Sequence, residues 1–224
     1  MFKRKGRSLA SAQRDELMEA VERRGRKTAN IWLLKEPLTG KDLVLVGDLR
    51  MEHFFAIEGD PQVATSVYDS QPVDVTQKRV QFDAVVDFRD GHRECRQVRR
   101  ITAQDGVEQN APLTLAAQRL GGRYVVVTTH ELDAQRQRVQ NWQRALAALN
   151  RCAHRPLELV EFEILAHVEP GGTTTIGELC EALAQDPALL IAATVRLVRK
   201  RVLSSDLDRK PWSRQTRIAR EQAA

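Results

Sequence analysis

Alternating apolar and polar positions between residues 80 and 100 predict two short strands of a β-hairpin. The segment reads VQFDAVVDFRDGHRECRQVRR, and Asp90-Gly91 is a pair typical of tight turns. Four apolar residues of the first strand recur at every second position and are predicted to share one face: Phe82, Ala84, Val86 and Phe88. The opposite face carries the carboxylate of Asp83, so the hairpin offers a candidate functional residue as well as core residues.

The length of the turn decides which side chains of the hairpin meet. With a two-residue loop Asp83 lies opposite Val98, whereas with a three-residue loop over 89–91 it lies opposite Gln97, with Arg99 one diagonal step away. Gly91 suits the left-handed position that closes a three-residue loop, so we predict the longer loop. A carboxylate beside an amide and a cation is the layout of a metal-dependent nuclease hairpin. An ordinary surface hairpin with scattered charges fits the same residues.

Elsewhere the pattern predicts a mixed α/β fold, with a mixed sheet flanked by helices. The predicted helices cover 11–24, 49–58 with Asp48 as N-cap, 112–120 and 133–152, and the predicted strands cover 29–34, 43–46, 63–70, 72–75 and 124–129. The residues between 102 and 111 are predicted to form a polar loop.

The second predicted helix carries Glu52, with Leu49, Phe55 and Ala56 at helical spacing around it. Burial raises the pKa of a carboxyl unless a cation compensates, and metal-binding carboxylates are often held in this way. A glutamate at the edge of the core that reaches solvent is the plainer interpretation.

A boundary is predicted at Arg155-Pro156, which divides the chain into a basic N-terminal segment (1–27), a main domain (28–155) and a C-terminal domain (156–224). The C-terminal pattern predicts three helices and a wing, the arrangement of a winged helix: 157–168, 176–183 capped by Thr175, 187–201, and a wing over 202–218. The third helix ends in RLVRKR, a basic end suited to phosphate or to an acidic protein surface. We expect a fragment from residue 157 onward to fold alone.

Composition permits a nucleic-acid partner without requiring one. Lys and Arg total 35 against 30 acidic residues, a net charge of +5, and 42% of the residues are hydrophobic. Three cysteines far apart argue against a zinc site or a disulfide framework and fit a cytoplasmic protein. No apolar run is long enough to span a membrane, and the N-terminus lacks the apolar segment of a signal peptide.

An ordered set of motifs resembles TnsA, the endonuclease subunit of heteromeric bacterial transposases. The similarity runs from about Gly47 to the end, and its segments are LRME at 49–52, Asp60-Pro61, Gln71-Pro72, Phe82-Asp83, Asp90-Gly91, QVR at 97–99, YVVVTT at 124–129 with the following helix and Asn141, and the C-terminal helices. In two places the sequence departs from the family pattern. Phe82 stands where proline usually precedes the aspartate, and Arg99 stands where the family has lysine.

The resemblance implies a restriction-endonuclease-like domain that cuts the 5′ ends of a transposon with Mg²⁺, or Mn²⁺, held by Glu52, Asp83 and Gln97. Arg99 would contact the scissile phosphate. The implied partners are transposon-end DNA, a DDE transposase subunit (TnsB-like), and an AAA+ regulator (TnsC-like) docked on the C-terminal domain. No membrane partner is implied.

Arg99 leaves the catalytic competence of such a site open. Arginine keeps the positive charge of lysine but cannot release a proton, and it is bulkier. The leading hypothesis is therefore a DNA endonuclease, and the second is an inactive nuclease-fold scaffold that binds DNA and docks transposase subunits. A winged-helix transcription regulator ranks third. In the endonuclease hypothesis Glu52 and Asp83 repel each other, so Asp83→Ala is expected to leave stability equal or slightly higher.

Overall fold

A computed structural model describes residues 18, 21–22, 29–68, 70–75, 78–100 and 110–221. Of the helix predicted over 11–24, only Met18, Val21 and Glu22 are described, and they are helical. The basic N-terminal segment and the polar loop predicted over 102–111 lie almost wholly outside the described residues.

The described elements follow the predicted order closely. The strands are β1 (Ile31–Lys35), β2 (Asp42–Val46), β3 (Val63–Tyr68), β4 (Val73–Val75), β5 (Lys78–Val80), β6 (Ala84–Phe88), β7 (Arg93–Arg99), β8 (Arg123–Thr128), β9 (Thr173–Thr175), β10 (Leu203–Ser205) and β11 (Arg217–Arg220). The helices are α1 (Asp48–Gly59), α2 (Ala111–Arg119), α3 (Thr129–Ala134), α4 (Arg136–Arg151), α5 (Glu158–His167), α6 (Ile176–Ala182) and α7 (Pro187–Arg199). None of these helices is long and apolar enough to cross a membrane.

A four-stranded mixed sheet in the order β3-β6-β7-β8 forms the centre of the molecule. Strands β7 and β8 run parallel, and the other neighbours run antiparallel. Helices α1 and α4 pack on one face, where Ala84, Val86 and Val127 join the main core. Helix α2 and the β4–β5 hairpin cover the other face around Cys95. The structure is thus a mixed α/β fold with helices on both sides of its sheet.

Phe82 lies on the opposite side of the sheet from the position that strict alternation predicts. It is buried with Cys95 and Leu113, whereas Ala84 belongs to the main core. Strand β6 begins only at Ala84, and Ser70 fixes the backbone just before it: the Oγ of Ser70 accepts from Phe82 N and donates to Phe82 O, both at 3.2 Å. The prediction that Phe82 shares a face with Ala84 is therefore wrong, because the chain is not yet in strand geometry there.

The predicted role of Asp48 as a helix N-cap is also wrong. Gly47, with φ of 95°, occupies the N-cap position. The Oδ1 atom of Asp48 instead accepts hydrogen bonds from Asn30 Nδ2 at 2.8 Å and from Trp32 Nε1 at 2.9 Å. Asp48 thereby ties strand β1 to the start of helix α1.

The helix predicted over 133–152 is divided in two at Gln135. Thr128 and Glu131 form a capping box that starts α3 earlier than expected, directly at the end of β8. Helix α4 follows and buries Trp142, whose ring lies where a Cβ on Gly59 would stand. Helices α1 and α4 consequently pack very closely at this point.

The C-terminal part has the element order α5, β9, α6, α7, β10, β11, and its strands form an antiparallel sheet in the order β10-β11-β9. The capping role predicted for Thr175 is confirmed, because its side chain accepts from Glu178 N. One continuous apolar cluster runs from Leu43 through Trp142 to Ile218 and so includes residues on both sides of the boundary predicted at residue 156. The division at that residue stays a prediction.

The basic end of helix α7 is used inside the molecule. Arg196 contacts Glu158 and Glu161, and Lys200 also contacts Glu161. Arg199 is buried against Glu58 at 2.5 Å, and Arg201 donates to the backbone oxygen of Asp60. These cations therefore have partners within the chain. The sequence had instead predicted phosphate or an acidic protein surface as their partner.

Candidate functional site

The register of the β6–β7 hairpin is the one predicted from a three-residue loop. Ala84 pairs with Arg96, and Asp87 pairs with Arg93. Phe88 N donates to His92 O at 2.9 Å across a loop of residues 89–91, and Gly91 has φ of 88°. The loop prediction is confirmed. The strand pairing ends at Ala84 and Arg96, so the predicted position of Asp83 opposite Gln97 stays a prediction.

Strand pairing in the hairpin stops at Ala84, and the side chain of Asp83 makes the next hydrogen bond to β7. Its backbone N donates to Arg96 O at 3.0 Å, and its Oδ2 accepts from Val98 N at 2.7 Å, so the side chain extends the ladder by one hydrogen bond. Its Oδ1 lies 2.7 Å from a terminal nitrogen of Arg50 on helix α1. The Asp83 side chain is only 10% exposed, while that of Arg50 is 47% exposed.

Gln97 and Arg99 lie on the same face of β7 and bind each other. Arg99 donates to Gln97 Oε1 through Nε at 3.1 Å and through Nη2 at 2.8 Å. Tyr124 on β8 donates its hydroxyl proton to the same oxygen at 3.1 Å. Since arginine has donors only, it fixes which end of the Gln97 amide is the oxygen.

Tyr124 is a member of the site that the sequence analysis missed. Burial raises the pKa of Tyr124, nearby Arg99 lowers it, and Asp83 raises it, which places the phenol within the field of both charged groups. The parallel register brings it here, because Tyr124 pairs with Cys95, two residues before Gln97 on the same face. The apolar run YVVVTT predicted a strand but contained no indication of its neighbour.

Glu52 lies among a different set of charges. Burial raises its pKa, Asp133 and Asp48 raise it further, and Arg136 and Arg100 lower it. Residues two apart on a helix point in directions about 200° apart, so Glu52 does not share the direction of Arg50. Of the predicted residues, Gln97 and Arg99 bind each other, and Tyr124, which donates to Gln97, lies within the field of Asp83. The helix residue that contacts Asp83 is Arg50.

The donor set of this arrangement does not fit a divalent cation. Each oxygen of Asp83 accepts from a donor, and the Gln97 oxygen accepts from Arg99 and Tyr124. A metal would have to displace these donors and draw Glu52 from its own surroundings. Across the described ranges of the chain, no three His, Cys, Asp or Glu side chains are placed to hold a metal ion.

We name the residues Arg50, Asp83, Gln97, Arg99 and Tyr124 the Asp83 site. Asp83 directly precedes β6, Gln97 and Arg99 lie at the end of β7, Arg50 belongs to α1, and Tyr124 lies near the start of β8. Comparison with protein-family models finds no match, and comparison with curated proteins finds none either. The resemblance to TnsA therefore rests on the ordered motifs of this sequence.

Proposed function

We propose that this chain is a TnsA-like subunit of a heteromeric transposase that retains a nuclease-type architecture to bind transposon-end DNA and to dock its partners, without cutting DNA itself. The observation that carries the proposal is the contact between Arg50 and Asp83. A guanidinium stands against the aspartate that a nuclease of this pattern would use to hold metal. An arginine in that place competes with a divalent cation for the same oxygen.

The C-terminal part supports the docking half of the proposal. Its element order, α5-β9-α6-α7-β10-β11, and its three-stranded sheet support the predicted winged helix. Its third helix, α7, is buried over most of its length, so it is not available to enter a DNA groove. The winged-helix transcription regulator, which needs that helix to read an operator, is accordingly disfavoured.

An exposed apolar pair on helix α5 supports a protein partner. Leu159 and Phe162 are spaced by three residues and are 66% and 69% exposed. Two large apolar side chains that face solvent on one helix face are typical of an interaction surface. We assign this face to the AAA+ regulator, in line with the role that the TnsA resemblance gives to the C-terminal domain.

A second candidate function, Mg²⁺-dependent cleavage of the 5′ ends, is favoured by the hairpin register. That register is the one predicted from a three-residue loop, and Arg99 contacts Gln97 beyond it on β7, which supports the order of residues expected of a nuclease hairpin. In this case Arg50 would leave Asp83, and Glu52, Asp83 and Gln97 would hold Mg²⁺ or Mn²⁺, which would supply an activated water.

A nicking assay on transposon-end DNA separates the two functions. The wild-type chain, with the partner transposase and Mg²⁺, is expected to join the complex and to leave the 5′ strands intact. The variant Arg50→Glu/Gln97→Glu/Arg99→Lys supplies carboxylates and a lysine in the same places and is the matched positive comparison. Metal-dependent 5′ nicking by the wild type, lost in Asp83→Asn, would overturn the proposal in favour of the endonuclease.

A further inference from the structure

We propose that the Asp83 site binds a DNA phosphodiester directly, through the N–H donors of Arg50, Arg99 and Gln97, with no divalent metal between protein and phosphate. This inference rests on the proposed function for the identity of its ligand, DNA. In this proposal the residues at the end of the sheet bind an anion, the phosphate, and not a metal cation.

The orientation of Gln97 is the first argument. Its oxygen accepts from Arg99 twice and from Tyr124 once. The oxygen is thus engaged, and the N–H₂ end of the amide is the end left to meet a ligand. An amide that presents donors suits a phosphate oxygen and does not suit Mg²⁺, which requires the carbonyl oxygen.

The half-exposed side chain of Arg50 is the second argument. Asp83 holds one terminal nitrogen of the guanidinium at 2.7 Å, while 47% of the Arg50 side chain remains accessible. A guanidinium has five N–H donors in a fixed plane, so an arginine held by a carboxylate on one side can bind a phosphate on another. The carboxylate of Asp83 therefore occupies one side of the Arg50 guanidinium and leaves the other side accessible.

The charge of the site is the third argument. Arg50 contacts the one carboxylate, Asp83, and Arg99 contacts the neutral amide of Gln97. Tyr124 donates to Gln97 and lies within the field of both Asp83 and Arg99. Tyr124 is a neutral phenol near pH 7, because its pKa is raised above the ordinary value. These five side chains thus carry one net positive charge, the sign that attracts a phosphodiester.

DNA affinity in EDTA tests the inference, measured by fluorescence anisotropy with a labelled transposon-end duplex over a series of salt concentrations. Arg50→Gln and Arg99→Gln are each expected to weaken binding about tenfold and to reduce the slope of log affinity against log salt by about one. Arg155→Gln is the matched control, since Arg155 is 46% exposed and pairs with Asp186 at 3.0 Å. It is expected to bind as the wild type does.

Asp83→Asn is expected to change DNA affinity in opposite directions at a phosphate site and at a metal site. An asparagine oxygen can still accept from Val98 N, while the negative charge beside the phosphate is gone. Affinity in EDTA is therefore expected to rise several-fold, because repulsion between carboxylate and phosphate is removed. At a metal site the same change would abolish binding. Circular dichroism and thermal melting confirm for each variant that it is folded.

The outcomes separate the inference from the function on which it rests. If the wild type binds in EDTA and both Arg50→Gln and Arg99→Gln bind equally well, the inference is wrong and the proposed function stands. If binding requires Mg²⁺ and Asp83→Asn loses it, the site is a metal site and the inference is wrong. If the wild type binds no transposon-end DNA in either condition, even with the partner transposase, the proposed function itself fails.

Discussion

The contact between Arg50 and Asp83 decides how the end of the sheet is interpreted. Asp83 is almost buried and accepts from both the Val98 amide and a guanidinium, so its charge is compensated within the chain. A buried carboxylate without such partners would have a raised pKa and would favour either protonation or a metal. Here the protein itself supplies the cation.

Replacing Asp83 by alanine is expected to destabilise the fold by about 1–2 kcal/mol. The change leaves the Val98 amide without its acceptor and removes the partner of Arg50, whose half-exposed position limits the electrostatic part. This expectation replaces the earlier one of equal or greater stability, which assumed repulsion between Asp83 and Glu52. Urea denaturation measures the difference in free energy of unfolding.

Asp74→Ala is the comparison for that measurement, because Asp74 is an exposed carboxylate on β4. It is expected to change the free energy of unfolding by less than about 0.5 kcal/mol. Equal stability of Asp83→Ala and the wild type would show that the two contacts of Asp83 contribute nothing to the fold.

The two tyrosines of the chain are expected to ionise only above pH 10. Burial raises the pKa of Tyr124 and raises that of Tyr68 well above the ordinary value of 10.0; the charge of Glu58 raises that of Tyr68 further. A raised pKa in the folded state means that the stabilisation is present below pH 10 and is lost as pH rises through the folded values. Absorbance of tyrosinate during an alkaline titration measures both groups, and ionisation of either one below pH 10 in the folded protein contradicts the structure.

Arg50 and Glu52 illustrate what the sequence can and cannot predict at the residue scale. Glu52 was chosen because its helical neighbours are apolar, yet α1 is buried on nearly every side, including Met51, Phe54 and Ile57. When apolar residues occur on all sides of a helix, the sequence pattern does not show which side faces the sheet. The pattern therefore could not predict which polar residue contacts Asp83. The choice depends on the rotation of α1 against the sheet, which only tertiary packing sets.

At the scale of elements, the sequence correctly predicted those features that depend only on residues close together in the chain. Gly91 fixed the loop and with it the register of the hairpin, and Thr175 fixed the start of α6. The position of Phe82 and the break at Gln135 depend on partners that are distant in sequence or on a cap outside the apolar pattern. Periodicity alone does not contain that information.

The ion pair between Glu58 on α1 and Arg199 on α7 is expected to contribute strongly to stability. Both side chains are almost wholly buried, and Glu58 also accepts from Tyr68 at 2.5 Å. Arg199→Met leaves an uncompensated buried carboxylate and is expected to cost about 3–5 kcal/mol. The double variant Glu58→Gln/Arg199→Met is expected to cost less than Arg199→Met alone, since no charge is then left unpaired. Chemical denaturation of the three proteins measures this, and a cost below about 1 kcal/mol for Arg199→Met contradicts the burial of the pair.

At the scale of the whole molecule, the shared core predicts one cooperative unfolding transition. The apolar cluster and the Glu58–Arg199 pair both cross the boundary predicted at residue 156, so a fragment of residues 157–224 would lose partners that it needs. Calorimetry is expected to give equal calorimetric and van't Hoff enthalpies. Two separate transitions, or a well-folded fragment, would instead support independent domains.

The fold class was predictable from the sequence because element order and hairpin chemistry are local, and the mixed sheet flanked by helices follows from them. The site was predictable in part. Gln97 and Arg99 bind each other because alternation puts them on one face of β7, as the sequence predicted. Tyr124 reaches Gln97 through the parallel pairing of β7 and β8, and Arg50 reaches Asp83 through the rotation of a helix, and neither contact could be predicted from local sequence.

Thermal melting in the presence and absence of millimolar Mg²⁺ or Mn²⁺ tests the central claim, that Asp83 is held by a guanidinium and not by a metal. A metal that binds only the folded site raises the melting temperature by mass action. Wild type and Asp83→Asn are measured side by side. The account predicts that neither cation shifts the melting temperature of either protein; a rise of several degrees in the wild type that is absent in Asp83→Asn would contradict it.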